Sequence, residues 1–179
     1  IFRRMPLKNT VEVLRAEIQQ SLDEGKTPLE RNELGQFATP KPLSDAIMIS
    51  ALSYLPKDKK IRFLEPSIGT GSFFSALIDN ATDEQIEYAC GYEIDEHYAR
   101  PAIDLWKNTI LKYIVGDFLS FPPPQNENDK FNLIVSNPPY VRHHHLRNGL
   151  KEKLYDKVKT TFGISFSKLS GLYCYFLSL

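Results

Sequence analysis

Between residues 61 and 135, four short apolar segments alternate with segments of helical periodicity. The apolar segments are residues 61–64, 86–94, 110–115 and 131–135. Their length suits strands, and strands that alternate with helices form right-handed crossovers and a parallel sheet. The pattern therefore predicts an α/β fold with a doubly wound, mostly parallel sheet.

A helical segment is predicted ahead of this sheet. Residues 10–24 have an apolar periodicity of three and four residues, which indicates an amphipathic helix. Residues 31–38 are expected to form a loop. Thr39 as N-cap and Pro40 at the first helical position predict a second helix, which Pro56 ends.

Two further helices are predicted later in the chain. Asp95 is expected to cap a helix that reaches about residue 108 and is divided in two by Pro101. Residues 171–179 are predicted to be helical. The chain begins without Met and ends within an apolar pattern, which favours a fragment of a longer protein.

Charge is unevenly distributed along a chain of 179 residues whose formal net charge is zero. Residues 61–136 carry 5 basic and 12 acidic side chains, whereas residues 137–179 carry 7 and 2. The segregation indicates either different partners for the two segments or solvated faces distributed by chance. The 2 cysteines favour a reducing compartment, and no apolar run is long enough to span a membrane, so a cytoplasmic protein is expected.

Ligands of parallel α/β sheets bind beyond the carboxyl ends of the strands. The first strand is followed by a loop with two glycines, Gly69 and Gly71, which allow a tight turn and a close approach to a ligand. A dinucleotide fingerprint requires a third glycine where Phe74 stands, which disfavours a nicotinamide cofactor. A structural turn is the alternative interpretation of this loop.

The second and third strands also end at carboxylates. Glu93 follows Gly71 by about 20 residues, the spacing of an acid that accepts hydrogen bonds from ribose hydroxyls. Asp117 and Phe118 suit an adenine ring, with an acceptor for its amine and an aromatic face. A turn with an Asx hydrogen bond explains Asp117 equally well.

The fourth strand is followed by Asn137, two prolines and Tyr140. Prolines fix the backbone and donate no N–H, so the segment is a rigid arm of carbonyl and amide acceptors with an aromatic ring at its end. Such an arm suits a planar group that bears an NH₂. A plain Pro-Pro turn is the alternative.

Five motifs resemble those of S-adenosylmethionine-dependent N6-adenine DNA methyltransferases, in the group whose cofactor motifs precede the catalytic one. They are GQFATP at residues 35–40, FLEPSIGTGSF at 63–73, GYEID at 91–95, GDFL at 116–119 and NLIVSNPPY at 132–140. Restriction–modification methylases, including those fused to a nuclease, are the most similar group. The resemblance implies S-adenosylmethionine as cofactor and a Rossmann-like class I methyltransferase fold. Residues 1–56 would be a helical segment with the first cofactor motif, and residues 57–179 a core that is incomplete at its C-terminus.

The resemblance assigns roles to individual residues. The cofactor-binding residues that it implies are Phe37, Thr39, Glu65, Pro66, Gly69, Gly71, Glu93, Ile94, Asp117 and Phe118. The first two would line the methionine end, the 65–71 loop would wrap the cofactor, Glu93 would hold the ribose, and the rest would hold the adenine. The catalytic residues that it implies are Asn137, Pro138, Pro139 and Tyr140. The Asn137 side chain and the Pro138 carbonyl would accept hydrogen bonds from the target amine, and Tyr140 would stack on the flipped base.

The resemblance also implies partners. They are double-stranded DNA with a flipped adenine, a target-recognition domain missing from this chain, and a fused or separate restriction nuclease. The chain is expected to be inactive alone. The alternatives are methylation of RNA bases or of a protein glutamine by the same kind of arm, and a non-catalytic subunit that binds cofactor or DNA.

The segment after the arm is basic. Three consecutive histidines at 143–145 cannot all face one metal in regular structure, so no metal site is assigned and a basic loop that contacts DNA is favoured over zinc. Lysines recur at positions 151, 153, 157 and 159 of a predicted helix. They either extend that surface or are simply solvated.

Overall fold

A parallel sheet lies at the centre of the computed structural model, which describes residues 8–141, 148–167 and 169–179. Its strands are β1 (Ile61–Glu65), β2 (Ile86–Glu93), β3 (Leu111–Val115) and β4 (Leu133–Ile134). Within the described residues the order is β3-β2-β1-β4, and every pairing is parallel. The predicted α/β fold with a parallel sheet is confirmed.

Helices precede, connect and follow the strands. They are α1 (Lys8–Glu24), α2 (Pro28–Leu34), α3 (Lys41–Ser53), α4 (Ser72–Asn80), α5 (Glu96–Trp106), α6 (Asn148–Phe162) and α7 (Leu172–Ser178). α1 packs against α4 and α5, and α3 packs against α4. Val11 of α1 and Met48 of α3 therefore belong to the same apolar core as the strands. None of the helices in the described part of the chain is long and apolar enough to cross a membrane.

The exposure of the sheet residues differs from strand to strand. Phe63, Ala89 and Leu133 point into the main core, where α4 and Trp106 cover them. On the opposite face Leu64 of β1 is also buried, whereas Ile134 of β4 is 61% exposed. β4 is also shorter than the five residues predicted, because only Leu133 and Ile134 have strand geometry.

The predicted loop at residues 31–38 is wrong in its first half, because α2 continues to Leu34. Thr27 and Glu30 form a capping box, in which the Thr27 hydroxyl accepts from the Glu30 N–H and the Glu30 carboxylate accepts from the Thr27 N–H. Pro28 then occupies the first turn, where a missing N–H costs nothing. α2 therefore begins only a few residues after α1 ends at Glu24.

The predicted start of α3 is wrong by one residue. Pro40 is the N-cap of α3, and no side chain caps the helix, so Thr39 is not the cap. The predicted division of α5 is also wrong, because the helix continues through Pro101. Proline lacks one helical hydrogen bond. Burial of Tyr98, Ala102 and Trp106 on the same helix stabilises it against that loss. Asp95 caps α5 as predicted, since its carboxylate accepts from the His97 N–H at 2.9 Å.

The second glycine of the loop after β1 packs against α5. The Trp106 indole N–H donates to the Thr70 carbonyl at 2.9 Å, and the indole ring meets Phe74 edge-on. A Cβ on Gly71 would lie 2.7 Å from the indole nitrogen, and its φ is +92°. Packing against Trp106 therefore requires glycine at position 71. At position 74, where a dinucleotide fingerprint has its third glycine, the same indole packs against Phe74.

We expect Gly71→Ala to lower the free energy of unfolding by about 2–4 kcal/mol. The new methyl group would overlap the Trp106 indole, and the backbone at position 71 is in the left-handed region, which disfavours alanine. The matched control is Gly69→Ala, which also has positive φ but has no atom within 4 Å of the added Cβ. This control should lose only about 1 kcal/mol. Urea denaturation measures both values, and equal losses would contradict the packing role of Gly71.

Candidate active site

A cavity of about 1020 Å³ opens at the carboxyl ends of β1, β2 and β3. This volume lies at the upper end of the range for small-molecule sites. The predicted residues that line it are Phe37, Thr39, Glu65, Pro66, Gly69, Glu93, Ile94, Asp117, Phe118, Asn137, Pro139 and Tyr140. Gly71 and Pro138, also predicted, are not among its lining residues. The structure thus brings residues of five separate sequence motifs together around one cavity.

Glu65 ends β1 as a buried carboxyl group that is 2% exposed. Burial raises the pKa of Glu65 well above its ordinary value, although the Phe74 N–H and the charge of Arg15 act in the opposite direction. Its Oε2 has no hydrogen-bond partner among the described residues. A buried carboxyl oxygen without a partner is costly, so this atom suits a ligand that brings a donor or a positive charge.

Glu93 ends β2 and holds the glycine loop. Its Oε2 accepts from the Gly69 N–H at 3.0 Å, and its Oε1 accepts from the Asp95 N–H at 2.8 Å. Burial raises the pKa of Glu93, and these N–H groups oppose the rise. Because each carboxylate oxygen can accept more than one hydrogen bond, both remain available to hydroxyl donors.

Asp117 and Phe118 follow β3. They form an Asx turn and also line the cavity, so the two interpretations of this segment do not exclude each other. Asp117 accepts from the Leu119 N–H at 3.0 Å, which is the hydrogen bond of an Asx turn, and also from the Ser120 hydroxyl at 2.9 Å. It also lines the cavity. Phe118 contacts the rings of Tyr92 and Phe176, with centroids 5.4 and 5.8 Å away. The turn is thus rigid as well as part of the cavity wall.

The Asn137 amide is oriented by the segment at residues 35–40. Its Nδ2 donates to the Phe37 carbonyl at 3.1 Å. Among the described residues the side-chain oxygen has no hydrogen-bond donor, so it can act as the acceptor that is predicted for a target amine. Tyr140 is 67% exposed at the end of the arm, and its ring lies 6.3 Å from that of Tyr173.

Helix α1 contains contacts that sequence analysis missed. Arg15 is 4% exposed, and its guanidinium donates to the Thr70 hydroxyl at 2.9 Å and to Glu12 at 2.7 Å. Thr70 in turn donates to the Gln19 side chain at 2.7 Å, and Ser75 donates to Glu12 at 2.6 Å. The signal was a polar stripe at positions 12, 15 and 19, which share one helical face.

Other missed residues support the loop from the sheet. The Tyr113 hydroxyl donates to the Gly69 carbonyl at 2.6 Å. Ile68 lies across β2, where a Cβ on Gly91 would come within 2.3 Å of its side chain. Gly91 therefore allows the loop to fold back over the strand, a role that a single glycine in a strand can indicate.

The basic C-terminal segment is partly structural. α6 forms as predicted, and Lys157 donates to the carbonyls of Leu119 and Phe121 at 2.5 and 2.8 Å. Lys157 is therefore neither simply solvated nor free for DNA, and it anchors α6 to the turn beside Phe118. The histidines at 143–145 lie outside the described residues. Within the part that is described, no group of three His, Cys, Asp or Glu could hold a metal ion.

Comparison with known proteins identifies the family. A family model described as Eco57I restriction-modification methylase matches residues 45–179. The chain belongs to this family. The type II methyltransferase M.HincII of Haemophilus influenzae is 30% identical over 144 residues, which are 75% of this chain and 22% of that protein. M.AccI of Acinetobacter calcoaceticus, another type II methyltransferase, is 22% identical over 175 residues, which are 96% of this chain and 29% of that protein.

The fold agrees with this assignment. A protein from Listeria monocytogenes assigned as a class I S-adenosylmethionine-dependent methyltransferase has a TM-score of 0.65 at 16% identity, over 93% of this chain and 48% of its own. The predictions of a restriction–modification methylase, of the class I fold and of S-adenosylmethionine as the cofactor of the family are confirmed. This Eco57I-family chain spans less than a third of the length of the two curated relatives.

We expect Glu65→Gln to raise the free energy of unfolding more at about pH 8 than at about pH 5. An acid whose pKa is higher in the folded than in the unfolded chain binds its proton more tightly when folded. The wild type therefore loses stability as the pH rises above the ordinary value of 4.5, whereas glutamine does not titrate.

Urea denaturation at the two pH values measures this difference. The control is Glu127→Gln, because the side chain of Glu127 is 85% exposed and pairs with Lys130 at the surface. If Glu65→Gln and Glu127→Gln showed the same pH dependence, Glu65 would not be a buried, proton-binding carboxyl group.

Proposed function

We propose that this chain forms the cofactor- and amine-binding part of an enzyme that methylates the N6 amino group of adenine in duplex DNA. The observation that supports this most directly is the hydrogen bond from Asn137 to the Phe37 carbonyl. It leaves the amide oxygen as an acceptor beside a cavity lined by two carboxyl groups, the buried Glu65 and the partly buried Glu93. Membership of a restriction–modification methylase family favours DNA over other acceptors.

The cavity residues fit S-adenosylmethionine by their chemistry. This cofactor supplies a methyl group on a positively charged sulfonium. Glu93 would accept from the ribose hydroxyls with the lone pairs that Gly69 and Asp95 leave free. The unpartnered oxygen of Glu65 would accept from a donor of the cofactor, and a positively charged ligand would stabilise the ionised form of this carboxyl group, which burial disfavours.

The Asn137 arm would prepare the target amine. The lone pair of an adenine amine is delocalised into the ring, so the amine is a poor nucleophile. Two acceptors, the Asn137 side chain and the Pro138 carbonyl, would draw its hydrogens out of the ring plane and direct the lone pair at the methyl carbon. Positioning and electrostatics of this kind can accelerate a direct displacement without a covalent intermediate.

The target base must leave the duplex to reach this arm, which costs a few kcal/mol. The exposed ring of Tyr140 offers a stacking surface that would offset part of that cost. We propose that DNA sequence is read by a target-recognition domain beyond these 179 residues, and that a restriction nuclease acts with the enzyme or is fused to it. The chain alone is then inactive, a proposal that its small share of the relatives' length supports.

We expect the chain to bind S-adenosylhomocysteine, with Glu93→Ala raising Kd about 10–100-fold because charge-assisted hydrogen bonds to the ribose are lost. Isothermal titration measures the binding. The control is Glu96→Ala on α5, because Glu96 is exposed and pairs with Arg100 rather than with the glycine loop. Unchanged affinity in Glu93→Ala would contradict the ribose-binding role.

In an active enzyme that contains this chain, Asn137→Ala should abolish methyl transfer while affinity for S-adenosylhomocysteine is retained. The reason is that the amide acts on the amine and not on the cofactor. Tritium transfer from labelled S-adenosylmethionine to duplex DNA measures activity. Full activity of the variant would show that Asn137 is not the amine acceptor.

The acceptor is tested with the same label. Duplex DNA, ribosomal RNA and a protein release factor are offered to the wild-type enzyme, and methylated DNA is then digested to nucleosides. We expect N6-methyladenine from DNA alone. Label in RNA or in the protein would show that the methyl acceptor is a planar NH₂ group of another molecule and not adenine in DNA.

A further inference from the structure

Ser67 joins the glycine loop to the catalytic arm. Its hydroxyl lies 3.1 Å from the Asn137 carbonyl oxygen and 2.8 Å from the Ser136 hydroxyl. A serine hydroxyl has a single hydrogen to donate, and a carbonyl can only accept. Ser67 therefore donates to Asn137, and Ser136 donates to Ser67.

Asn137 is thus held at two points by cofactor-lining segments. Its backbone carbonyl accepts from Ser67, and its side-chain NH₂ donates to the Phe37 carbonyl. Ser67 and Phe37 both line the cavity. The direction of the amide oxygen consequently depends on the positions of two segments that a bound cofactor contacts.

The loop on which Ser67 lies is restrained on both sides of the serine. Glu65 belongs to β1, and the Ile68 N–H donates to the Tyr92 carbonyl at 2.8 Å. Gly69 donates to Glu93 and accepts from Tyr113. A ligand that binds Glu65 and Glu93 therefore acts on this restrained loop, and Ser67 is the residue of the loop that contacts Asn137.

We propose that Ser67 is a positioning residue that couples occupancy of the cofactor cavity to the orientation of the Asn137 amide. This inference rests on the proposed function, because it assumes that S-adenosylmethionine occupies the cavity. Ser67 does not touch the reacting amine in this account. It acts through the backbone of Asn137, and the enzyme presents a correctly directed acceptor when the methyl donor is bound.

The test uses the full 179-residue chain labelled with ¹⁵N. The side-chain NH₂ resonances of Asn137 are assigned by their loss in Asn137→Ser, and their shifts are recorded without ligand and at saturating S-adenosylhomocysteine. We expect the ligand to shift these resonances in the wild type. In Ser67→Ala the shift should fall by roughly half or more, because one of the two links is lost.

Two variants separate this role from a general effect on the loop. Ser67→Thr keeps a hydroxyl at the same position and should restore the wild-type shift. Ser136→Ala removes the neighbouring hydroxyl but leaves the Ser67–Asn137 hydrogen bond, so it should also respond like the wild type. Because every variant is measured at saturation, a change in affinity alone does not imitate the expected loss.

The outcomes distinguish the inference from the proposed function. If S-adenosylhomocysteine binds and Ser67→Ala responds like the wild type, or if wild-type Asn137 does not respond, the coupling is refuted and the proposed cofactor site stands. If the wild type does not bind S-adenosylhomocysteine, as titration calorimetry would show, the proposed function fails and the inference fails with it.

Discussion

The candidate site depends on the parallel pairing of β1 with β2 on one side and with β4 on the other. Leu64 is aligned with Cys90 of β2 and with Ile134 of β4. The Val135 N–H then donates to the Leu64 carbonyl at 3.2 Å. Parallel strands end at the same edge of a sheet, so this register brings the glycine loop, Glu93 and the Asn137 arm together without contacts specific to any ligand.

At this edge of the sheet, groups that could bind a ligand lower the stability of the chain. Glu65 is buried with an unpartnered oxygen, and burial raises its pKa and that of Glu93. The unpartnered oxygen and the burial of two carboxyl groups both lower the free energy of unfolding when no ligand is bound. The hydrogen bonds from α1 to Thr70 and from Tyr113 to Gly69 hold the loop despite that cost. The N-terminal helix thus stabilises a site to which it contributes few of the groups that face a ligand.

The sequence predicted much of this arrangement because each strand end is marked by local residues. Periodicity located the strands, and the glycines, carboxylates and prolines after them identified the cavity wall. α2 was missed because its capping box begins at Thr27, only three residues after the end of α1 at Glu24. α5 was divided wrongly, since the rule that proline interrupts a helix does not include the stabilisation from buried Trp106.

Contacts between distant residues could not be predicted in this way. Phe37 and Asn137 are 100 residues apart, and their hydrogen bond is between a backbone carbonyl and a side chain, which leaves no mark in residue type. Ser67 was part of a recognised motif, but its contact with Asn137 depends on the β1–β4 pairing. Only the assembled sheet shows that Ser67 and Phe37 share hydrogen bonds with Asn137.

We propose that one cavity holds the methyl donor with its sulfur directed at the Asn137 amide. A crystal structure of the chain with S-adenosylhomocysteine tests this most directly. The account predicts ribose hydroxyls within hydrogen-bonding distance of Glu93 and a sulfur that faces the Asn137 side-chain oxygen across the space of a methyl group and an amine. A ligand bound elsewhere, or one whose sulfur points away from Asn137, would contradict it.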